Sequence, residues 1–94
     1  MTKSGSVTTV TASIFTCVDK IGNDVLSMRF TNDISYTLEV FLYVAKEDRT
    51  VDLYTLILDA GDVVTDNLKY ELAQGDKILA RSSVANTFYT LNIE

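Results

Sequence analysis

The sequence predicts an all-β protein: an antiparallel β-sandwich of about seven strands, immunoglobulin-like or jelly-roll-like, forming one domain. Three observations carry this. Residues with high strand preference (Val, Ile, Thr, Tyr, Phe) arrive in runs of roughly six to ten. Short clusters of Gly, Asn, Asp and Ser break the runs. A length of 94 residues allows one core and no second. With 47% of residues hydrophobic and 22% charged, the chain has the composition of a folding protein and not of a disordered one.

Residues 1–6, Met-Thr-Lys-Ser-Gly-Ser, are small and polar and are expected to form a flexible arm, with the sandwich spanning 7–94. The first run, Val7 to Val18, is either one long bent strand or two short ones, and 19–23 closes it. Asp24 to Thr31 is the second, followed by an Asn32-Asp33-Ile34-Ser35 turn. The third, Tyr36 to Ala45, is the strongest. A two-residue period places Tyr36, Leu38, Val40, Leu42 and Val44 on one face and Thr37, Glu39, Phe41, Tyr43 and Ala45 on the other. Both faces carry large apolar groups, so the strand is expected at a sheet centre with a covered outer face, or against another subunit.

The charged segment 46–50 then leads into Val51 to Leu58, the order expected of an antiparallel hairpin. Val63 to Leu72 reads as a weaker pair of segments with a kink at Asp66-Asn67; one helical turn over Leu68 to Gln74 is the competing reading. Lys77 to Ser83 and Thr87 to Ile93 complete the set. Two Gly-Asp turns, Gly61-Asp62 and Gly75-Asp76, are expected to use Gly for positive φ and Asp as a cap. The expected core is Val25, Phe30, Leu38, Val40, Leu42, Leu53, Ile57, Leu68, Leu79, Leu91 and Ile93.

Charge and chemistry narrow the function. A net charge of -5, with eight scattered basic residues, argues against binding through phosphates, so nucleic acid is not an expected partner. No stretch approaches the ~20 apolar residues that span a bilayer, and the first twelve residues are too polar for an export signal. The single Cys17 lies in an apolar-alternating segment and is read as a packing residue, in keeping with synthesis in a reducing cytoplasm. Histidine is absent, which removes the commonest general base and most zinc and copper sites.

Thirteen carboxylates fall mostly in turns, where solvation explains them better than acid–base chemistry. Asp59, Asp62 and Asp66 are the best candidates for a calcium site but lack the spacing of a dense calcium loop. No catalytic residue, cofactor or metal is expected, and the chain is read as working by binding or assembly.

Several pieces together resemble a group of short bacteriophage virion proteins with a β-sandwich fold. They are Phe30-Thr31-Asn32, Val40-Phe41-Leu42-Tyr43-Val44, Leu58-Asp59-Ala60-Gly61-Asp62, Gln74-Gly75-Asp76 followed by Ile78-Leu79-Ala80-Arg81-Ser82-Ser83, and Tyr89-Thr90-Leu91-Asn92-Ile93. The likeness covers roughly residues 24 to 94. It implies a non-enzymatic particle component, made in the host cytoplasm and located in the virion. Its partners would be copies of itself and a major capsid, neck or tail protein, and decoration of the capsid is the leading role. A carbohydrate-binding module is the rival of another class; it would show surface Tyr flanked by Asp and Asn around a shallow groove. From the residues, the interface candidates are Phe41, Tyr43, Tyr54 and Leu56, together with Thr2, Lys3 and Ser4 of the arm.

Overall fold

In the computed structural model, which describes residues 1–94, the apolar runs become nine strands. They are β1 (Thr2–Val7), β2 (Ala12–Thr16), β3 (Asn23–Thr31), β4 (Tyr36–Val44), β5 (Arg49–Leu58), β6 (Val63–Asp66), β7 (Tyr70–Leu72), β8 (Lys77–Ser82) and β9 (Thr87–Ile93). The charged segment after β4 makes one 3-10 turn, Ala45–Glu47, and Asp48 takes a left-handed conformation at its end. From that turn outward the chain pairs with itself as one long hairpin: β4 with β5, β3 with β6 and β7, β2 with β8, β1 with β9, all antiparallel. The hairpin is rolled, so that consecutive pairs lie in opposite sheets. One sheet runs β1-β9-β3-β6, with β7 also on β3, and the other runs β2-β8-β4-β5. Counting β6 and β7 as one interrupted strand, this is an eight-position jelly roll, so the jelly-roll alternative of the sequence reading is the one adopted.

The core lies between the sheets. Val25, Met28 and Phe30 of β3, Leu38 and Val40 of β4, Ile78 of β8 and Leu91 of β9 are completely shielded, each worth about 1.5 to 3 kcal/mol relative to exposure. Six expected core residues are among those buried; Leu42 and Leu53 pack against the core more loosely.

Three expected core residues are not there. Ile57 is 87% exposed, because β5 carries an extra residue at Leu53, between the pairs Val40↔Tyr54 and Phe41↔Asp52. That bulge shifts the alternation, turning Tyr54, Leu56 and Leu58 inward opposite Val40, Leu38 and Tyr36 and sending Ile57 outward beside Thr37. Leu79 pairs with Phe41 on the outer face, and its neighbours Ile78 and Ala80 are the buried ones. Leu68 is 67% exposed, since 67–69 is the break between β6 and β7. Tyr70–Leu72 forms a strand on β3, so the helical turn considered for this segment does not occur.

The arm expected at residues 1–6 is strand instead: Thr2 to Val7 pair in unbroken register with Asn92 to Thr87. Small polar residues favour flexibility when unpaired, but on this strand Thr2, Ser4 and Ser6 face outward while Val7 enters the core. Gly5 leaves room for the cross-strand Tyr89 ring; a Cβ there would meet the ring at 2.8–3.0 Å.

The two Gly-Asp turns are built alike. Asp62 N–H donates to Asp59 O (3.1 Å) and Asp76 N–H to Ala73 O (3.0 Å). Each Asp carboxylate accepts the N–H at the turn's start, Asp59 at 3.1 Å and Ala73 at 2.9 Å, and Gly61 and Gly75 have φ of +79° and +93°. Asp76 also accepts Ala45 N–H (2.9 Å), tying this turn to the β4–β5 connection. At the opposite end, buried Asn32 donates to Ala85 O (3.0 Å) and Thr87 Oγ1 (2.7 Å), and Thr87 meets Ser82 Oγ at 2.7 Å.

Candidate functional site

Six of the seven interface candidates are distributed over three separate surfaces, and Lys3 lies apart from them at one edge of the sandwich. Phe41 and Tyr43 lie on the outer face of the β2-β8-β4-β5 sheet. Phe41 sits against Leu79, and the Arg81–Glu39 ion pair (2.7 Å) lies beside them. On the other side, Lys77 Nζ stands 5.6 Å over the Tyr43 ring, and the Tyr43 hydroxyl donates to Asp48 (2.6 Å). Long polar side chains of this chain therefore half-cover the aromatic row on the outer face of β4.

Thr2 and Ser4 lie on the outer face of the other sheet. The register aligns Thr2, Ser4, Ser6, Phe88, Thr90, Asn92, Ser27, Arg29, Thr31, Val63 and Thr65 there, with Arg29 as the one charge among them; at the β7 end of the same face Asp24 stands opposite Glu71, and Lys69 bridges the two. Phe88 is the large apolar group on this hydroxyl-rich face. Lys3 points the other way, toward the gap between the sheets, with Nζ 5.9 Å from the Phe15 ring centroid.

Tyr54 and Leu56 lie on neither outer face. With β5 at one sheet's edge and the broken β6–β7 at the other's, the sandwich does not close on that side. It leaves a shallow, open groove of about 510 Å³ lined by Tyr54, Leu56, Val64, Thr65, Asp66, Asn67 and Leu68. The Tyr54 hydroxyl is buried with no hydrogen bond of good geometry; burial first, then the Asp66 carboxylate, raises its pKa well above the ordinary value. Asp66 itself accepts Tyr70 Oη–H (2.8 Å) and Leu68 N–H (2.9 Å). The groove therefore offers a mostly apolar wall whose one carboxylate, Asp66, is already engaged.

A second hollow, of about 410 Å³, lies between residues 21–24 and 71–73 and is bordered by Asp24, Glu71 and Glu94. Lys69 bridges Asp24 (3.4 Å) and Glu71 (3.6 Å). Asp59, Asp62 and Asp66 do not converge, and no group of three or more acidic or Cys side chains is arranged to hold a metal ion. Sequence reasoning missed the groove as such. The spacing of Leu56, Val64 and Leu68 does not reveal it, because it depends on two strands of different sheets ending side by side.

No family model and no curated protein matches the chain. Among solved structures, it is similar to two crystal structures of a pentameric capsid protein isolated from metagenomic phage sequences. The TM-scores are 0.55 and 0.54, each at 18% identity and over 99% of this chain. The chain spans 61% and 60% of the length of those proteins. At this identity the likeness is one of fold.

Proposed function

We propose that this is a non-enzymatic virion structural protein that decorates or stabilises a bacteriophage capsid through oligomeric contacts with its own copies and with a capsid protein. The observation that carries the reading is the jelly roll shared, over nearly the whole chain, with a pentameric phage capsid protein. The turn and strand pieces that resemble short phage virion proteins support it independently. A neck, tail or baseplate position is the alternative within the same class. Synthesis in the host cytoplasm and incorporation into the virion belong to the same proposal.

Phe41, Tyr43, Thr2, Ser4, Tyr54 and Leu56 remain interface candidates, now divided between two sheet faces and one groove; Lys3 belongs to the edge opposite that groove. The carbohydrate-binding alternative has one feature in its favour, the combination of Tyr54, Asp66 and Asn67 along a groove. Against it, the Tyr54 hydroxyl is buried and Asp66 is already hydrogen-bonded, whereas a sugar site needs free polar groups beside an exposed ring.

The test is the mass in solution by light scattering over a concentration series, with negative-stain microscopy of the concentrated protein. A closed oligomer or shell is the expected result. A monomer at every concentration that binds a glycan array would instead favour the carbohydrate reading.

A further inference from the structure

The two open edges of the sandwich differ in charge. Residues 1–18, which build the β1–β2 edge, contain Lys3 as their only charged side chain, whereas residues 49–68, which build the β5–β6 edge and the groove, contain Asp52, Asp59, Asp62 and Asp66 against the single basic Arg49 at the start of β5. The two edges are on opposite sides of the molecule, since β1 and β2 begin the sheet orders that β6 and β5 end. Each also presents aliphatic surface: Val10 on one (73% exposed), Leu68 and the groove wall on the other.

We infer that the groove edge receives the β1–β2 edge of a second copy, so that copies join head to tail. This rests on the self-association proposed above and specifies which surfaces carry it. Charge decides the pairing. Two groove edges facing each other would bring eight aspartates together against two arginines, and like charges across an interface suppress that arrangement. A β1–β2 edge brings Lys3 and no acid to the four aspartates, while its uncharged remainder covers Leu56, Val64 and Leu68. Unlike a self-complementary contact, a head-to-tail contact leaves one free edge of each kind on every growing assembly, so it ends only by closing into a ring.

The test is sedimentation velocity of the full chain and two variants, Lys3→Glu and Asp52→Lys/Asp59→Lys, alone and mixed in equal amounts. All three positions are exposed, and circular dichroism with a thermal melt checks that each variant folds. Each variant alone should associate on the order of tenfold or more weakly, and the mixture should recover association at the contacts between unlike variants, because each reversed edge there meets its complement. Lys3→Gln, which keeps an apolar stem near Phe15 but removes the charge, should weaken association less. A wild-type oligomer unaffected by either variant, or tightened by the aspartate substitutions alone, overturns the head-to-tail contact and leaves self-association standing. A wild-type chain that remains monomeric to about millimolar concentration, a weak-binding limit, overturns both.

Discussion

The five tyrosines show how far residue identity alone informs. By sequence Tyr54 is an interface candidate, sharing a strand face with Asp52, Leu56 and Leu58. The structure puts its ring on the groove wall and its hydroxyl inside, where no pattern in the sequence places Asp66 next to it. Burial is the leading cause that raises the pKa of Tyr36, Tyr54, Tyr70 and Tyr89, and for Tyr43 the hydrogen bond to Asp48 leads. Ionising a buried phenol costs more in the folded chain than in the unfolded one, whose tyrosines titrate near pH ~10. The stabilisation this represents is complete below about pH 10 and is lost as the pH climbs above it. In an alkaline titration, the phenolate absorbance of Tyr54 and Tyr70 should appear together with the loss of near-ultraviolet circular dichroism. Five phenolates forming near pH 10 in a still-folded chain would contradict their burial.

At the scale of the element, strands were legible and their defects were not. Alternation located every strand run from residue 24 onward, and even the kink at Asp66-Asn67 corresponds to the gap between β6 and β7. A strict two-residue period cannot register an extra residue, however. The bulges at Ile14 and Leu53 each reverse which residues face inward. Hence Ile57 was assigned to the core while Ile14 and Phe15, adjacent in sequence, are both buried. Urea unfolding should separate the two cases: Leu38→Ala should cost about 2–5 kcal/mol, and Ile57→Ala less than about 0.5 kcal/mol. An Ile57→Ala loss comparable to Leu38→Ala would mean that the outer face is covered, most simply by another copy.

For the whole molecule, the sandwich followed from composition and turn spacing, but the order of strands did not. Nothing local in Thr2 to Val7 announces a partner 80 to 90 residues away, and so the sequence alone suggests an arm where β1 stands. Pairings that join distant parts of the chain make folding slow, on the order of milliseconds to seconds for such topologies. Proline is absent, so no phase of about 10–100 s from its isomerisation should follow. Stopped-flow refolding at low concentration should therefore be a single exponential within seconds. A slower phase that speeds up with protein concentration would report association.

The place of β9 bears on how the protein is made. Thr87–Ile93, synthesised after the other eight strands, lies between β1 and β3 and hydrogen-bonds to both. Until those residues emerge, the first strand has no neighbour in its own sheet and β3 lacks one side. This sheet therefore closes only after β9 is made, and a chain cut before Thr87 has a sheet with a missing centre and not a slightly shorter sandwich.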